Sequence, residues 1–290
     1  MTARKKAAVF LLFGQSNAVG HRLPMRREDI IDTPLRNVFG LHRDDNQSFD
    51  TKELIFRGYV SAGMNLGETQ DDTYSIANCL AAQWQAAKDA GEDLPDLYIV
   101  HIAIGAEGVT EKYMWYPYRT DRTLIPGKLR TANIALFPFA LHVLSLLPPY
   151  FAQRGLTPVY LHHWRGGEEE DAVPIERLGG LKQIYDDLLD GFDNALGQKL
   201  PTVLHLIPLE IKKTFSPEVY ERNVWIDRVF ETLAAERDNV TLFDNWAAPH
   251  RDPQLPCGGL VGADRVHYTE QTNRWAASEV MRQLREAVKE

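Results

Sequence analysis

Short apolar runs recur along the whole chain and constrain its fold more than any other feature. Their side chains are mostly aliphatic or aromatic, and they do not alternate with polar residues. Continuous runs of this kind are typical of parallel strands that are buried on both faces of a sheet. We therefore predict five parallel strands, at Ala8–Phe13, Leu97–Ile104, Pro158–His163, Val203–Pro208 and Val240–Phe243.

Helical patterns separate these runs. The predicted helices are Tyr74–Ala90, Ala132–Leu147 (ending at Pro148-Pro149), Ile175–Leu196, Pro217–Ala235 and Glu270–Val288, the last capped by Thr269. Strands that alternate with helices need right-handed crossovers, so the sequence predicts a three-layer α/β/α fold. The prediction is an α/β protein with a parallel sheet of at least five strands and long loops, forming one domain over residues 1–290.

Two segments fit this pattern less clearly. Asn37–His42 is apolar enough for a further strand, which we place second in the chain, although Gly40 weakens it. Arg43–Thr73 is polar and punctuated by glycine, and we expect it to be irregular.

The N-terminal run has features of a secretory signal, because Arg4-Lys5-Lys6 precedes seven apolar residues. Seven residues are at the short limit for a signal core, and cleavage near Ala18 would remove the first strand. We interpret the run as a buried strand and expect a cytoplasmic protein.

Charge and cysteine content limit the partners. The net charge is −8, without a lysine- or arginine-rich run, so nucleic acid and anionic membranes would lack an electrostatic attraction. No segment approaches the roughly 20 apolar residues of a membrane span. The two cysteines, Cys79 and Cys257, have no metal-ligand spacing. We expect a small molecule or glycan as the partner, no metal and no cofactor.

Ser16 follows the first predicted strand and is a candidate nucleophile. A serine hydroxyl needs a neighbouring base, which His267 can supply. The imidazole in turn needs an acceptor on its other nitrogen, and Asp264 lies three residues before His267. Active sites of α/β folds lie at the carboxyl ends of the strands, where Ser16 is found. The sequence predicts a Ser16–His267–Asp264 triad that hydrolyses an acyl ester.

Gly14-Gln15-Ser16-Asn17 near the start and Asp264-x-x-His267 near the end resemble two motifs of the SGNH hydrolase superfamily, in its sialate O-acetylesterase-like branch. The resemblance covers nearly the whole chain. It implies a flavodoxin-like fold and a serine esterase that removes acetyl groups from sugar hydroxyls.

The resemblance also implies an oxyanion hole. The backbone N–H groups of Ser16 and Gly105 would be two donors. The branch shows W-x-Q-G-E where this chain has Trp164-Arg165-Gly166-Gly167-Glu168, so the family's glutamine donor is missing. Replacement by the Gly166 N–H is our first choice; Arg165, more often a surface residue, and Asn17 are alternatives.

Five residues are assigned to substrate binding: Gln15, Asn17, Glu168, Trp115 and Tyr116. The last two belong to an aromatic segment that could stack on a sugar ring or pack against the core. Adjacent His162 and His163 would point to opposite strand faces, which favours structural roles over a shared metal.

Two other functions stay open. The missing glutamine is compatible with a glycan-binding protein that has kept a hydrolase fold and little catalysis. A third possibility is an SGNH esterase for a non-sugar acyl ester.

Overall fold

The protein forms a seven-stranded sheet with helices on both faces. The computed structural model describes residues 5–21, 23–68, 73–120, 135–172 and 174–290. The strand order is β3-β2-β4-β1-β5-β6-β7, and only β3 is antiparallel to its neighbour. The strands are β1 Lys5–Gly14, β2 Val38–Leu41, β3 Phe56–Gly58, β4 Asp96–Ala103, β5 Leu156–Arg165, β6 Thr202–His205 and β7 Val240–Phe243. The predicted α/β/α class and all six predicted strands are confirmed.

The central strand β1 is almost wholly buried, as the continuous apolar run at Ala8–Phe13 predicted. It lies between β4 and β5, and the chain crosses from one half of the sheet to the other here. Such a switch point leaves a crevice at the carboxyl ends of the strands. Register places Gly14 opposite both Ala103 and Arg165. The three segments that follow these residues therefore meet at one edge.

Eight α-helices complete the described architecture. They are α1 Ser16–Val19, α2 Arg43–Asn46, α3 Ile76–Asp89, α4 Leu136–Gln153, α5 Leu181–Leu196, α6 Leu209–Lys212, α7 Pro217–Glu236 and α8 Glu270–Ala287. Apolar residues of α4, α5 and α7 pack on one face of the sheet, and those of α3 and α8 pack on the other. Helix α8 begins after Thr269, whose side chain accepts a hydrogen bond from the Thr272 N–H as the cap prediction required.

Helix α4 differs from the prediction at its C-terminus. It continues through Pro148 and Pro149 to Gln153, so the expected end at Leu147 is wrong. Tyr150 and Phe151, which follow the prolines, are buried and pack on the ring of Phe56. These contacts offset the missing backbone hydrogen bonds. The predicted start at Ala132 lies outside the described residues.

By length and composition, α4 is long and apolar enough to cross a membrane. The prediction that no segment approaches the length of a membrane span is therefore wrong for this helix. Half of its apolar window is buried within the protein. Its buried side chains belong to the core on one face of the sheet, so this is a core helix in the described fold.

The segment predicted to be irregular contains two short elements, α2 and the edge strand β3. The strand pairs with β2 through only three residue pairs. Residues 69–72, near the end of this segment, lie outside the described residues. A three-residue edge strand leaves no apolar periodicity in the sequence, which is why the prediction missed it.

Candidate active site

Ser16 occupies a tight turn directly after β1. Gly14 has a φ of 142°, and a Cβ there would overlap the Arg165 carbonyl, so only glycine allows this approach of β1 to β5. The chain then turns into α1, and the N–H of Gly20 closes the helix on the Ser16 carbonyl at 2.9 Å. Ser16 is 7% exposed. Within the described part of the chain, neither its hydroxyl nor its N–H donates a hydrogen bond.

Asp264 and His267 form a pair within one turn. Asp264 Oδ2 lies 2.8 Å from His267 Nδ1, while Oδ1 accepts the N–H groups of Val266 and His267 at 3.0 and 3.1 Å. Partial burial opposes ionisation of Asp264, but the hydrogen bonds from His267 and from these two N–H groups outweigh it and lower its pKa. The predicted pairing of this carboxylate with this imidazole is present in the structure.

Asn17 connects this turn to the serine turn. Its Oδ1 accepts the N–H of Tyr268 at 3.2 Å, and its Nδ2 donates to the carbonyl of Val266 at 3.2 Å. These two backbone groups belong to the residues on either side of His267. The residue next to Ser16 therefore fixes the loop that carries the imidazole.

Glu168 holds both residues that flank Ser16. Its two carboxylate oxygens accept hydrogen bonds from Gln15 Nε2 and Asn17 Nδ2, each at 2.8 Å. Gln15 and Asn17 are almost completely buried. These contacts position the serine turn, whereas the buried Gln15 Oε1 has no hydrogen-bond partner among the described residues. Substrate binding by Gln15, Asn17 and Glu168 stays a prediction.

Arg165 is buried, so its interpretation as a surface residue is wrong. Its guanidinium donates to the Asn17 carbonyl at 3.2 Å and to Asn273 Oδ1 at 2.5 Å. It also stacks on the ring of Tyr268, 4.1 Å from the ring centre. Burial lowers the pKa of the guanidinium. Arg165 is therefore packed against the serine turn.

The three predicted oxyanion donors differ in their surroundings. The Gly105 N–H donates to Glu68 Oε2 at 2.9 Å, so in this structure it is not free to face a substrate oxygen. The N–H groups of Ser16 and Gly166, by contrast, have no acceptor among the described residues. A Cβ on Gly166 would lie 3.3 Å from the indole nitrogen of Trp164. A glutamine at position 166 would therefore be crowded by that ring.

Two residues near the triad, His21 and Glu68, were not predicted from the sequence. His21 Nε2 lies 2.8 Å from Glu68 Oε1, and the imidazole lies 5.9 Å from that of His267, measured between ring centres. Glu68 is almost fully buried. His21 could have been noticed because it lies five residues after Ser16. Its partner Glu68, however, lies in a segment whose sequence has no recognisable pattern.

The aromatic segment after β4 divides between core and surface. Trp115 is fully buried, and its indole N–H donates to the Gly14 carbonyl at 3.0 Å. Its predicted contact with substrate is therefore wrong, and its hydrogen bond to Gly14 stabilises the start of the serine turn. Tyr116 is half-buried, packs against Tyr118 and lines a cavity of about 420 Å³ together with Lys112 and Arg177.

His162 and His163 point to opposite faces of β5, as predicted. His162 packs against Phe13 and hydrogen-bonds Thr202, whereas His163 contacts His205 at 2.8 Å. Burial lowers the pKa of His163 to about 3. No cluster of three potential metal ligands occurs in the described ranges.

Comparison with solved structures identifies the architecture. NanS aligns with a TM-score of 0.61 over 99% of this chain and 100% of its own, at 16% identity. The chain shares the NanS fold. A protein from Arabidopsis thaliana aligns with a TM-score of 0.59 at 14% identity, over 96% of this chain and 98% of that one. No protein-family model and no curated protein matches the sequence. The fold is thus common to this chain and NanS although about five in six aligned residues differ.

Proposed function

We propose that this protein is a serine esterase that removes O-acetyl groups from carbohydrate hydroxyls. One observation carries the proposal: Asn17, next to Ser16, holds by hydrogen bonds the two residues that flank His267. These hydrogen bonds join the turn that carries Ser16 to the loop that carries His267. The sugar substrate follows from the resemblance of both motifs to the sialate O-acetylesterase-like branch.

In the proposed reaction, Ser16 Oγ attacks the acetyl carbonyl carbon while His267 Nε2 takes the hydroxyl proton. Asp264 keeps the proton on His267 Nδ1 and stabilises the imidazolium. His267 then gives its proton to the sugar oxygen as the ester bond breaks. Water, deprotonated by His267, cleaves the acetyl-serine, and acetate leaves with the serine hydroxyl restored.

The oxyanion would be bound by the N–H groups of Ser16 and Gly166, which have no acceptor among the described residues. One side-chain donor fewer costs about a hundred- to a thousandfold in rate in other serine hydrolases. We therefore expect slow turnover compared with esterases that have the glutamine.

The test is hydrolysis of p-nitrophenyl acetate by the wild type and by Ser16→Ala, His267→Ala and Asp264→Asn. We expect each variant to lose activity by about 10³-fold or more. Ser145→Ala, on the exposed side of α4, is the matched control and keeps full activity. Labelling of Ser16 by a serine-reactive phosphonate, located by mass spectrometry, should occur in the wild type and fail in His267→Ala. Full activity in both Ser16→Ala and His267→Ala would exclude the mechanism.

A second candidate is a glycan-binding protein with the same fold. It is favoured by the contact between the Gly105 N–H and Glu68 and by the absence of a side chain at Gly166. Saturable binding of an acetylated sugar, measured by calorimetry, with no acetate released over hours would select this function over the esterase.

A further inference from the structure

A second imidazole–carboxylate pair stands beside the candidate triad. His21 and Glu68 are joined at 2.8 Å, as are His267 and Asp264. The two imidazoles are 5.9 Å apart between ring centres. The proposed hydrolysis uses only one of these pairs, so the other needs a separate explanation.

The position of His21 is set by the same turn that presents Ser16. Gly20 is left-handed, with a φ of 85°, and the N–H of His21 donates to the Ser16 carbonyl at 3.0 Å. The chain thus folds back at the end of α1. The imidazole then lies against Gly105, where any Cβ would overlap it.

Glu68 fixes the orientation of this imidazole. One of its oxygens accepts the Gly105 N–H at 2.9 Å and the other contacts His21 Nε2. A carboxylate can only accept, so Nε2 carries a proton. In the neutral imidazole, Nδ1 is then an acceptor, and it has no partner within the described ranges. The side chain of His21 is 15% exposed, and Nδ1 is not among the fully buried polar atoms that lack a partner, so this nitrogen is accessible to a ligand atom.

We propose that His21 is a specificity-determining residue whose Nδ1 accepts a hydrogen bond from a sugar hydroxyl next to the acetyl ester. This inference rests on the proposed esterase function. When the ester is attacked at Ser16, its sugar oxygen must reach His267, and the hydroxyl on the adjacent ring carbon extends to one side of it. The imidazole of His21 lies beside that of His267, and we place the neighbouring sugar hydroxyl on the side of His21. The preferred substrate class is a partly acetylated sugar with a free hydroxyl beside the ester.

The experiment compares two monoacetylated methyl glycosides, one with a free hydroxyl beside the ester and one with that hydroxyl methylated. We expect the wild type to prefer the free hydroxyl by about tenfold in kcat/KM, the value of one buried hydrogen bond. His21→Phe keeps a planar ring without the nitrogen and should abolish this preference. His21→Asn, whose amide oxygen can accept, should retain part of it. Thermal unfolding of both variants establishes that they are folded.

The same preference in His21→Phe as in the wild type would overturn the assignment. So would a wild type without preference. These results are distinct from failure of the esterase proposal, in which the wild type hydrolyses neither glycoside nor p-nitrophenyl acetate. If Glu68 orients His21, Glu68→Gln should lower the preference as well, because an amide nitrogen can then replace the accepting oxygen.

Discussion

The candidate site depends on one carboxylate residue outside the triad. Glu168 accepts hydrogen bonds from Gln15 and Asn17, the two neighbours of Ser16. Both donors are amide N–H groups, so the acceptor must offer two oxygens in fixed positions. The carboxylate of Glu168 therefore sets the shape of the serine turn and, through Asn17, the position of the His267 loop.

Glu168→Gln should lower kcat by about tenfold or more with a smaller change in KM, because misplacing the reacting groups affects the chemical step more than binding. The amide nitrogen of glutamine would face one of the two donors, and one hydrogen bond would be lost. Steady-state kinetics with p-nitrophenyl acetate measures the effect. Glu221→Gln, an exposed change of the same chemistry, is the control. Equal kinetics for the two variants would show that Glu168 does not position the turn.

Local chemistry predicted some residues of the site and not others. Asp264 and His267 lie three residues apart, so one turn was enough to pair them. Arg165 and Glu68 acquire their roles from partners on other elements, Asn273 and His21. From the sequence, Trp115 could pack in the core or stack on a sugar ring at the surface, and only the three-dimensional structure shows that it is in the core. Long-range contacts are therefore what a single sequence left undetermined.

At the element scale, apolar runs predicted the buried strands because a strand covered on both faces has no polar side to alternate with. Sequence patterns did not predict the short edge strand β3 or the proline-containing end of α4. Helix α4 passes through two prolines because Leu147 and Tyr150, on either side of them, are both buried. Burial of apolar side chains there outweighs the local preference of proline to end a helix.

This balance can be measured at Pro149, which is exposed in the interior of α4. Pro149→Ala restores a backbone N–H without removing core contacts, and we expect it to raise the free energy of unfolding by about 1 to 3 kcal/mol. Chemical denaturation provides the value. Pro217→Ala is the control, since Pro217 begins α7, where proline is favoured, and should not stabilise. A Pro149→Ala protein no more stable than the wild type would show that α4 is not strained there.

At the scale of the whole molecule, buried ionisable groups determine how stability depends on pH. Burial lowers the pKa of His101 to about 4 and that of His163 to about 3, whereas it raises the pKa of Glu170 and Asp227 to about 8 each. Burial thus favours the neutral form of both kinds of group. The histidines contribute stability that is present above their ordinary pKa and is lost as the pH falls. The carboxyl groups contribute stability that is present at acidic pH and is lost as the pH rises.

Glu170 is the sharper test of this pH dependence, because it is fully buried and its Oε1 accepts a hydrogen bond from the Val109 N–H. Between its ordinary pKa of 4.5 and the folded value of about 8, unfolding releases a proton, so rising pH favours the unfolded chain. Glu170→Gln keeps the acceptor and cannot ionise. We expect its free energy of unfolding, relative to the wild type, to increase by about 1 to 4 kcal/mol between about pH 5 and pH 8. Denaturation at several pH values tests this, with exposed Glu176→Gln as control. A difference that does not change with pH would mean that Glu170 is ionised in the folded protein.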